Sequence, residues 1–206
     1  SCIMSTFFQV DKILGPHGRS PAVATGIKRL RPDNLVLTYQ GDGDISSIGT
    51  AEIVHAAARN EKITTIFVNN GVYGMTGGQM APTTLPEQKT ATSPMGKDVE
   101  TAGMPIKLSE MLSVLPVAYI ARGSVHSPAE IRKTKKYIKA AIEKQLNGDG
   151  FAMVEILSPC PTNWHMTPVA AMKHIEQETI QYYPLGEMVN NVRVDGRMVK
   201  KEANDS

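Results

Sequence analysis

Residues 63–68, Ile-Thr-Thr-Ile-Phe-Val, form a short β-branched and aromatic run with no polar face. Such side chains pack well on a pleated surface, and a run without alternation fits a strand covered on both sides, as in a parallel sheet. Parallel neighbours cannot be joined by a tight turn; the connection crosses over, usually as a helix. The remaining chain should therefore alternate helices and strands, and its signals do alternate. A helix is predicted over 22–31, ended by Pro32-Asp33, and a strand over 34–40 (NLVLTYQ). A small-residue helix follows through Glu52 and Ala58, then the strand at 63–68.

Downstream, a short helix is expected over 108–112, strands over 117–121 and 151–157 (FAMVEIL), and a last helix over 167–181. A long helix reads clearly from 128 to 146, with Ser127, Pro128 and Glu130 as its opening signal and Gly148 as its stop. Ile131, Ile138, Ile142 and Leu146 recur on it at helical spacing and form the expected buried face. Arg132, Lys133, Lys135, Lys136, Lys139 and Lys144 read as a solvated face, with docking of an acidic partner as the alternative. The segment 69–105 is rich in Gly, Pro, Thr and Gln and lacks periodicity, a length of loop that is usually functional or disordered. The chain divides into a domain over 1–187 and a polar tail over 188–206, expected to be loosely ordered.

With 206 residues, 41% of them hydrophobic, the chain has room for one domain with a sizeable core. Its 22 Lys and Arg against 20 Asp and Glu leave a net charge of +2, which argues against a nucleic-acid clamp or a polybasic membrane binder. No apolar run approaches the ~18 residues of a bilayer span, and no secretory signal pattern is present. Two cysteines, Cys2 and Cys160, are too few for a disulfide framework, so a reduced, cytoplasmic setting is expected. The chain opens on Ser1 rather than Met, which reads as an N-terminally incomplete domain.

Two short elements carry chemistry. Gly41-Asp42-Gly43-Asp44 and Asn69-Asn70-Gly71 each directly follow a predicted strand. Ligands of parallel α/β sheets bind beyond the carboxyl ends of the strands, where glycines admit a phosphate and a helix N-terminus offers free N–H groups. Asp42 supplies a hard anionic oxygen and Asn70 a carboxamide oxygen, donors that suit Mg²⁺ shared with phosphates. Asp44 either contacts the diphosphate or caps the following helix.

The GDG element, the interval 44–68 and the NN pair together resemble the thiamine-diphosphate signature. His17-Gly18-Arg19-Ser20-Pro21, Tyr73-Gly74-Met75-Thr76-Gly77-Gly78-Gln79 and Ala81-Pro82-Thr83-Thr84 are similar to elements of the β subunits of 2-oxoacid:ferredoxin oxidoreductases. Thr38-Tyr39-Gln40-Gly41, Ser158-Pro159-Cys160-Pro161-Thr162-Asn163-Trp164 and Tyr182-Tyr183-Pro184-Leu185-Gly186-Glu187 resemble most the branch acting on 3-methyl-2-oxobutanoate (2-ketoisovalerate).

The resemblance implies a doubly wound, mainly parallel α/β domain binding thiamine diphosphate and Mg²⁺. It implies oxidative decarboxylation of a 2-oxoacid, transfer of the acyl group to coenzyme A, and passage of electrons through iron–sulfur clusters to ferredoxin. It adds the Val72 carbonyl to Asp42 and Asn70 as metal ligands. Gly41, Gly43, Gly74, Thr76 and Gly77 should line the cofactor, with His17, Gly18, Arg19, Asp44, Tyr73 and Met75 around it; ordinary loop packing is the alternative for Met75. No catalytic residue is expected on this chain beyond groups that position the cofactor. The Glu that activates it comes from another subunit of the α/γ type, so Glu52 is not given that role and suits packing or a surface contact.

Cys160 is either a simple buried thiol or, by resemblance, a ligand of a 4Fe–4S cluster with Cys2 and an N-terminal Cys pair that precedes this sequence. A 2-oxoglutarate-specific subunit, a non-oxidative thiamine-dependent decarboxylase and a non-catalytic binding piece are the competing functions.

Overall fold

The structure, a computed structural model, describes residues 7–194 and 196–200. The chain opens with α1 (Ser20–Leu30), β1 (Leu37–Gly41), a π-helical turn at Asp44–Ile48, α2 (Thr50–Ala58) and β2 (Thr64–Asn69). The long loop then holds a two-residue hairpin, β3 (Val72–Tyr73) with β4 (Gln79–Met80), and the single turn α3 (Val99–Ala102). There follow α4 (Leu108–Ser113), β5 (Tyr119–Ser124), α5 (Pro128–Leu146), β6 (Ala152–Leu157) and α6 (Pro161–Trp164). A helical stretch comes next: α7 (Pro168–His174), a π-helical turn at Ile175–Thr179, and α8 (Ile180–Tyr182). The chain closes with β7 (Gly186–Val194) and β8 (Arg197–Lys200). Among the described residues no helix is long and apolar enough to cross a membrane.

The main sheet has the order β1-β2-β6-β5-β7-β8, parallel from β1 to β5 and antiparallel beyond. The expected doubly wound α/β architecture is what the chain adopts. Side chains alternate across the strands into two cores. On one face Phe67, Ile120 and Met153 pack with Ile45, Ile53 and Ala57 of the α2 region and with Leu108 and Leu112 of α4. On the other, Tyr119, Ala121, Val154 and Ile156 pack against Ala141, Tyr137 and Ile138 of α5.

Three expectations differ from this arrangement. The tail expected to be loose from 188 onward instead continues β7 and supplies β8. A parallel sheet ending at β5 would leave a row of unpaired backbone groups, and β7 covers that edge. Met188 and Val189 pack onto the α2/α4 core, and Asn191 donates to the Val117 and Ala118 carbonyls at 3.0 and 2.8 Å. The polar composition of this strand reflects an edge ribbon.

The inward face of α5 is also rotated from the isoleucine stripe. Thr134, Ala141 and Gln145 are buried, whereas Leu146 is 64% exposed. Gln145 is held there by bonds to both backbone groups of Val36 and to Thr64. Lys144, expected among solvated lysines, is buried, with Nζ donating to the Asn191 carbonyl and lying 3.6 Å from Asp149.

Candidate functional site

Adjacent parallel strands place the two chemical elements side by side. Gly41 at the end of β1 is in register with Val68 of β2, and Asn69 is in register with Leu157 of β6. The loops after β1, β2 and β6 therefore emerge at one edge of the sheet.

Asp42 is the centre of this edge and is 2% exposed. Its Oδ1 accepts from Gly43 N at 2.9 Å; its Oδ2 accepts from Gly71 N at 2.6 Å, Thr83 Oγ1 at 2.7 Å and Asn70 N at 3.2 Å. Burial pushes its pKa from 3.8 up to about 6, against the downward pull of these bonds, that of Thr83 foremost. All four donors are neutral, so the carboxylate is desolvated without a countercharge. The Asn70 side-chain oxygen accepts from Val72 N at 3.2 Å, so Asn70 and Val72 share one tight turn, which Asp42 holds through the Asn70 and Gly71 amides. Gly71 makes that turn possible with φ +69°, a conformation side-chain-bearing residues rarely adopt.

The His17–Arg19 element packs beside this centre. Asp44 Oδ1 accepts from Gly18 N and lies 2.8 Å from His17 Nδ1, while Oδ2 accepts from Gln40 Nε2 at 2.8 Å. The structure thus turns the Asp44 carboxylate toward the HGR turn and Gln40. Gln40 itself is fully buried, and its Oε1 has no donor. Arg19 is engaged by the Ile48 carbonyl and by Glu52, both at 2.8 Å; Glu52, expected to pack or to make a surface contact, is half-buried, and its Oε2 is buried without a partner. Gly18 has φ +79°, and a Cβ there would meet the Ile48–Gly49 backbone at 2.8 Å.

The TGGQ loop closes the outer side. The Tyr73 ring lies against Gly43, where a Cβ would fall 2.5 Å from its ring atoms. Thr76 and Gln79 bond each other, Gly77 takes φ +115°, and Met75 is 67% exposed. The loop after β6 leans on this hairpin. Asn163 Nδ2 donates to the Gly74 carbonyl at 3.0 Å and to Cys160 Sγ at 3.2 Å, and Trp164 Nε1 donates to the Asn70 carbonyl at 3.0 Å.

Four residues of the site were not singled out from the sequence for a role: Thr83, Asn69, Asn163 and Trp164. Thr83 lay in a quoted motif and Asn69 in the NN pair, but their bonds to partners distant in the chain carry no local signal.

The donors present fit a hard divalent cation. One buried carboxylate whose hydrogen-bond donors are all neutral, bonded to the turn that carries the Asn70 carboxamide, suits Mg²⁺, which takes one or two protein oxygens and keeps phosphate and water ligands. Among the described residues no three His, Cys, Asp or Glu side chains come together. The described residues do not fit a 4Fe–4S cluster: Cys160 is a free thiol supplying one of four ligands, and Cys2 lies outside the described residues.

Residues 3–156 match the thiamine pyrophosphate enzyme family through its C-terminal TPP binding domain. The chain is 46% identical over 180 residues to ketoisovalerate oxidoreductase subunit VorA of Methanothermobacter thermautotrophicus, a match covering 87% of this chain and 38% of that protein. It is 34% identical over 201 residues to 2-oxoglutarate synthase subunit KorB of Methanocaldococcus jannaschii, covering 95% of this chain and 70% of that one. Its fold superposes with a TM-score of 0.66 and 28% identity on a 2-oxoglutarate:ferredoxin oxidoreductase from Magnetococcus marinus solved with 2-oxoglutarate, coenzyme A and succinyl-CoA. That superposition covers 87% of this chain and 65% of the solved one. The chain therefore spans little more than a third of the VorA relative.

Proposed function

Because the chain belongs to the thiamine pyrophosphate enzymes, in the β-subunit family of the 2-oxoacid:ferredoxin oxidoreductases, we propose that it holds the diphosphate and Mg²⁺ of a thiamine site in an enzyme that oxidatively decarboxylates a branched-chain 2-oxoacid. The observation that carries this reading is Asp42, a buried carboxylate surrounded by neutral donors at the carboxyl end of β1. A cation bound there would supply the missing countercharge.

Asp42 and the Asn70 carboxamide oxygen are the side-chain ligands, with the Val72 carbonyl as the third protein oxygen. His17, its Nδ1 held by Asp44, keeps its second ring nitrogen for a phosphate oxygen. Gly41, Gly43, Gly74, Thr76 and Gly77 line the cofactor's path, and Tyr73 and Met75 its outer side. Bound thiamine diphosphate supplies the carbon nucleophile for the 2-oxo carbon and the electron sink for loss of CO₂.

This chain's residues bind and orient that group. The carboxylate that activates it belongs to a partner subunit of the α/γ type. Coenzyme A takes the acyl group and ferredoxin the electrons. The 46% identity to a ketoisovalerate oxidoreductase subunit favours a branched-chain substrate over 2-oxoglutarate.

Titration calorimetry with thiamine diphosphate and Mg²⁺ tests the site. Asp42→Ala is expected to abolish Mg²⁺-dependent binding in the folded chain, and wild-type-like affinity in that variant overturns the metal assignment. Reconstitution with partner subunits, a viologen acceptor, coenzyme A and a panel of 2-oxoacids tests the substrate. Preference for 2-oxoglutarate would replace the branched-chain reading.

A further inference from the structure

A polar chain reaches the Asn70–Gly71 turn from inside the sheet. Glu155 lies in the middle of β6, 1% exposed on a strand whose other residues are apolar. Its Oε2 accepts from Arg122 Nε at 2.8 Å and from Ser109 Oγ. Arg122, fully buried on β5, also donates to both Glu110 oxygens at 2.9 and 2.6 Å and to the Pro184 carbonyl at 3.2 Å, under the Tyr183 ring at 5.0 Å. Relative to well-packed apolar side chains, a buried ion pair of this kind is often neutral or unfavourable, so its presence calls for a use other than stability.

The remaining carboxylate oxygen shows that use. Glu155 Oε1 accepts from Asn69 Nδ2 at 2.8 Å, and Asn69 Oδ1 accepts from Gly71 N at 3.3 Å. The same Gly71 N–H donates to Asp42 Oδ2 at 2.6 Å. An ionised carboxylate can only accept, so it fixes the sense of the Asn69 amide: nitrogen toward Glu155, oxygen toward Gly71. With the amide reversed, its NH₂ would confront the Gly71 N–H and push the turn away from Asp42. We infer that Glu155 is a positioning residue that acts through Asn69 to fix the Asn70–Gly71 turn against Asp42. Arg122 Nε and Ser109 Oγ occupy the other carboxylate oxygen and so fix the orientation of Glu155 for that purpose. The importance of the turn for a cofactor rests on the function proposed above.

Two variants of the full chain separate this role from a purely structural one. Glu155→Gln gives Asn69 a partner that can donate, releasing the sense of its amide. Asn69→Ala removes the link while leaving the Arg122–Glu155 pair intact, and it decides the matter if Glu155→Gln fails to fold. The first readout is amide hydrogen exchange without cofactor. Exchange at Asn70 and Gly71 should quicken by about fivefold, the worth of one ordinary hydrogen bond, relative to Ile66 of β2 and Val154 of β6. The doubly substituted chain should be no faster at these amides than Asn69→Ala alone, because both changes break one link. Exchange at Gly71 that is unchanged, or that rises only in step with Ile66 and Val154, overturns the inference.

The second readout is Mg²⁺-dependent affinity for thiamine diphosphate, expected to fall by a similar factor in both variants. Wild-type affinity in both variants overturns the positioning role while leaving the proposed function standing. A wild-type chain that does not bind, with the selective exchange pattern present, removes the proposed function and upholds the Glu155–Asn69 hold on the turn.

Discussion

Asp42→Asn removes a charge from the most desolvated carboxylate of the site with little change of shape, and its effect on the empty chain can be worked out with its sign. Burial raises the Asp42 pKa from 3.8 to about 6, so the folded chain binds a proton across that interval that the unfolded chain has released. Where the folded state binds more protons, stability falls as pH rises. Below pH 3.8 the group is neutral in both states and exacts no penalty. Well above pH 6 the fold carries the full penalty of the buried charge. At about 1.4 kcal/mol per pH unit, the interval amounts to roughly 3 kcal/mol. In Asp42→Asn this titration is absent. The amide brings its own cost, since its NH₂ faces backbone donors such as Gly43 N–H, but that cost does not vary with pH. Urea denaturation of both chains from pH 4 to 8, with a chelator present, gives the difference in unfolding free energy. That difference should shift by about 2 kcal/mol in favour of the variant between pH 4 and 6 and level off above about pH 7. Mg²⁺ with thiamine diphosphate should restore wild-type stability above pH 6 and leave the variant unmoved. A difference that stays flat across the range, or rises with pH, refutes the account of Asp42 as a charge awaiting its cation.

Two further outcomes follow from the same geometry. Gly43→Ala places a Cβ 2.5 Å from the Tyr73 ring, so the ring must move; a loss of about 1–3 kcal/mol is expected by urea denaturation, largely recovered when Tyr73→Ala is added. Glu61 is buried, which alone would raise its pKa, but hydrogen bonds from Arg29 and Arg59 outweigh burial and hold it below its ordinary value of 4.5. Its contribution to stability is therefore complete above pH 4.5 and lost as pH falls through the lower folded value. Glu61→Gln should flatten that acid limb, and an unchanged acid limb in a pH series of thermal melts would contradict the pairing.

The parts of the fold legible in the sequence are those governed by neighbours a few residues away. The long helix α5 matches its expected bounds because Ser127 accepts from Glu130 N at 3.3 Å and Pro128 occupies the first turn. The strand at 151–157 is legible from its mostly apolar run, yet nothing local to that run gives Glu155 a role. Its meaning depends on Arg122, which sits beyond the bounds expected for β5, 33 residues away along the chain. The inward face of α5 was misplaced for a related reason. Helical spacing locates a stripe but does not say which of two adjacent stripes faces the sheet, and Gln145 decides it through bonds to Val36 and Thr64.

By itself the sequence determined the alternation of helix and strand and the placement of the GDG and NN elements directly after strands. Periodicity, caps and glycine conformations are local properties that residues carry with them. Tertiary structure alone decided that β6 lies between β2 and β5, that β7 and β8 cover the open edge, and that Thr83 Oγ1 reaches Asp42 across 41 residues. These follow from which strand ends stand side by side, and strand order is set by burial of the whole sheet between its two cores. No local stretch of chain holds that information.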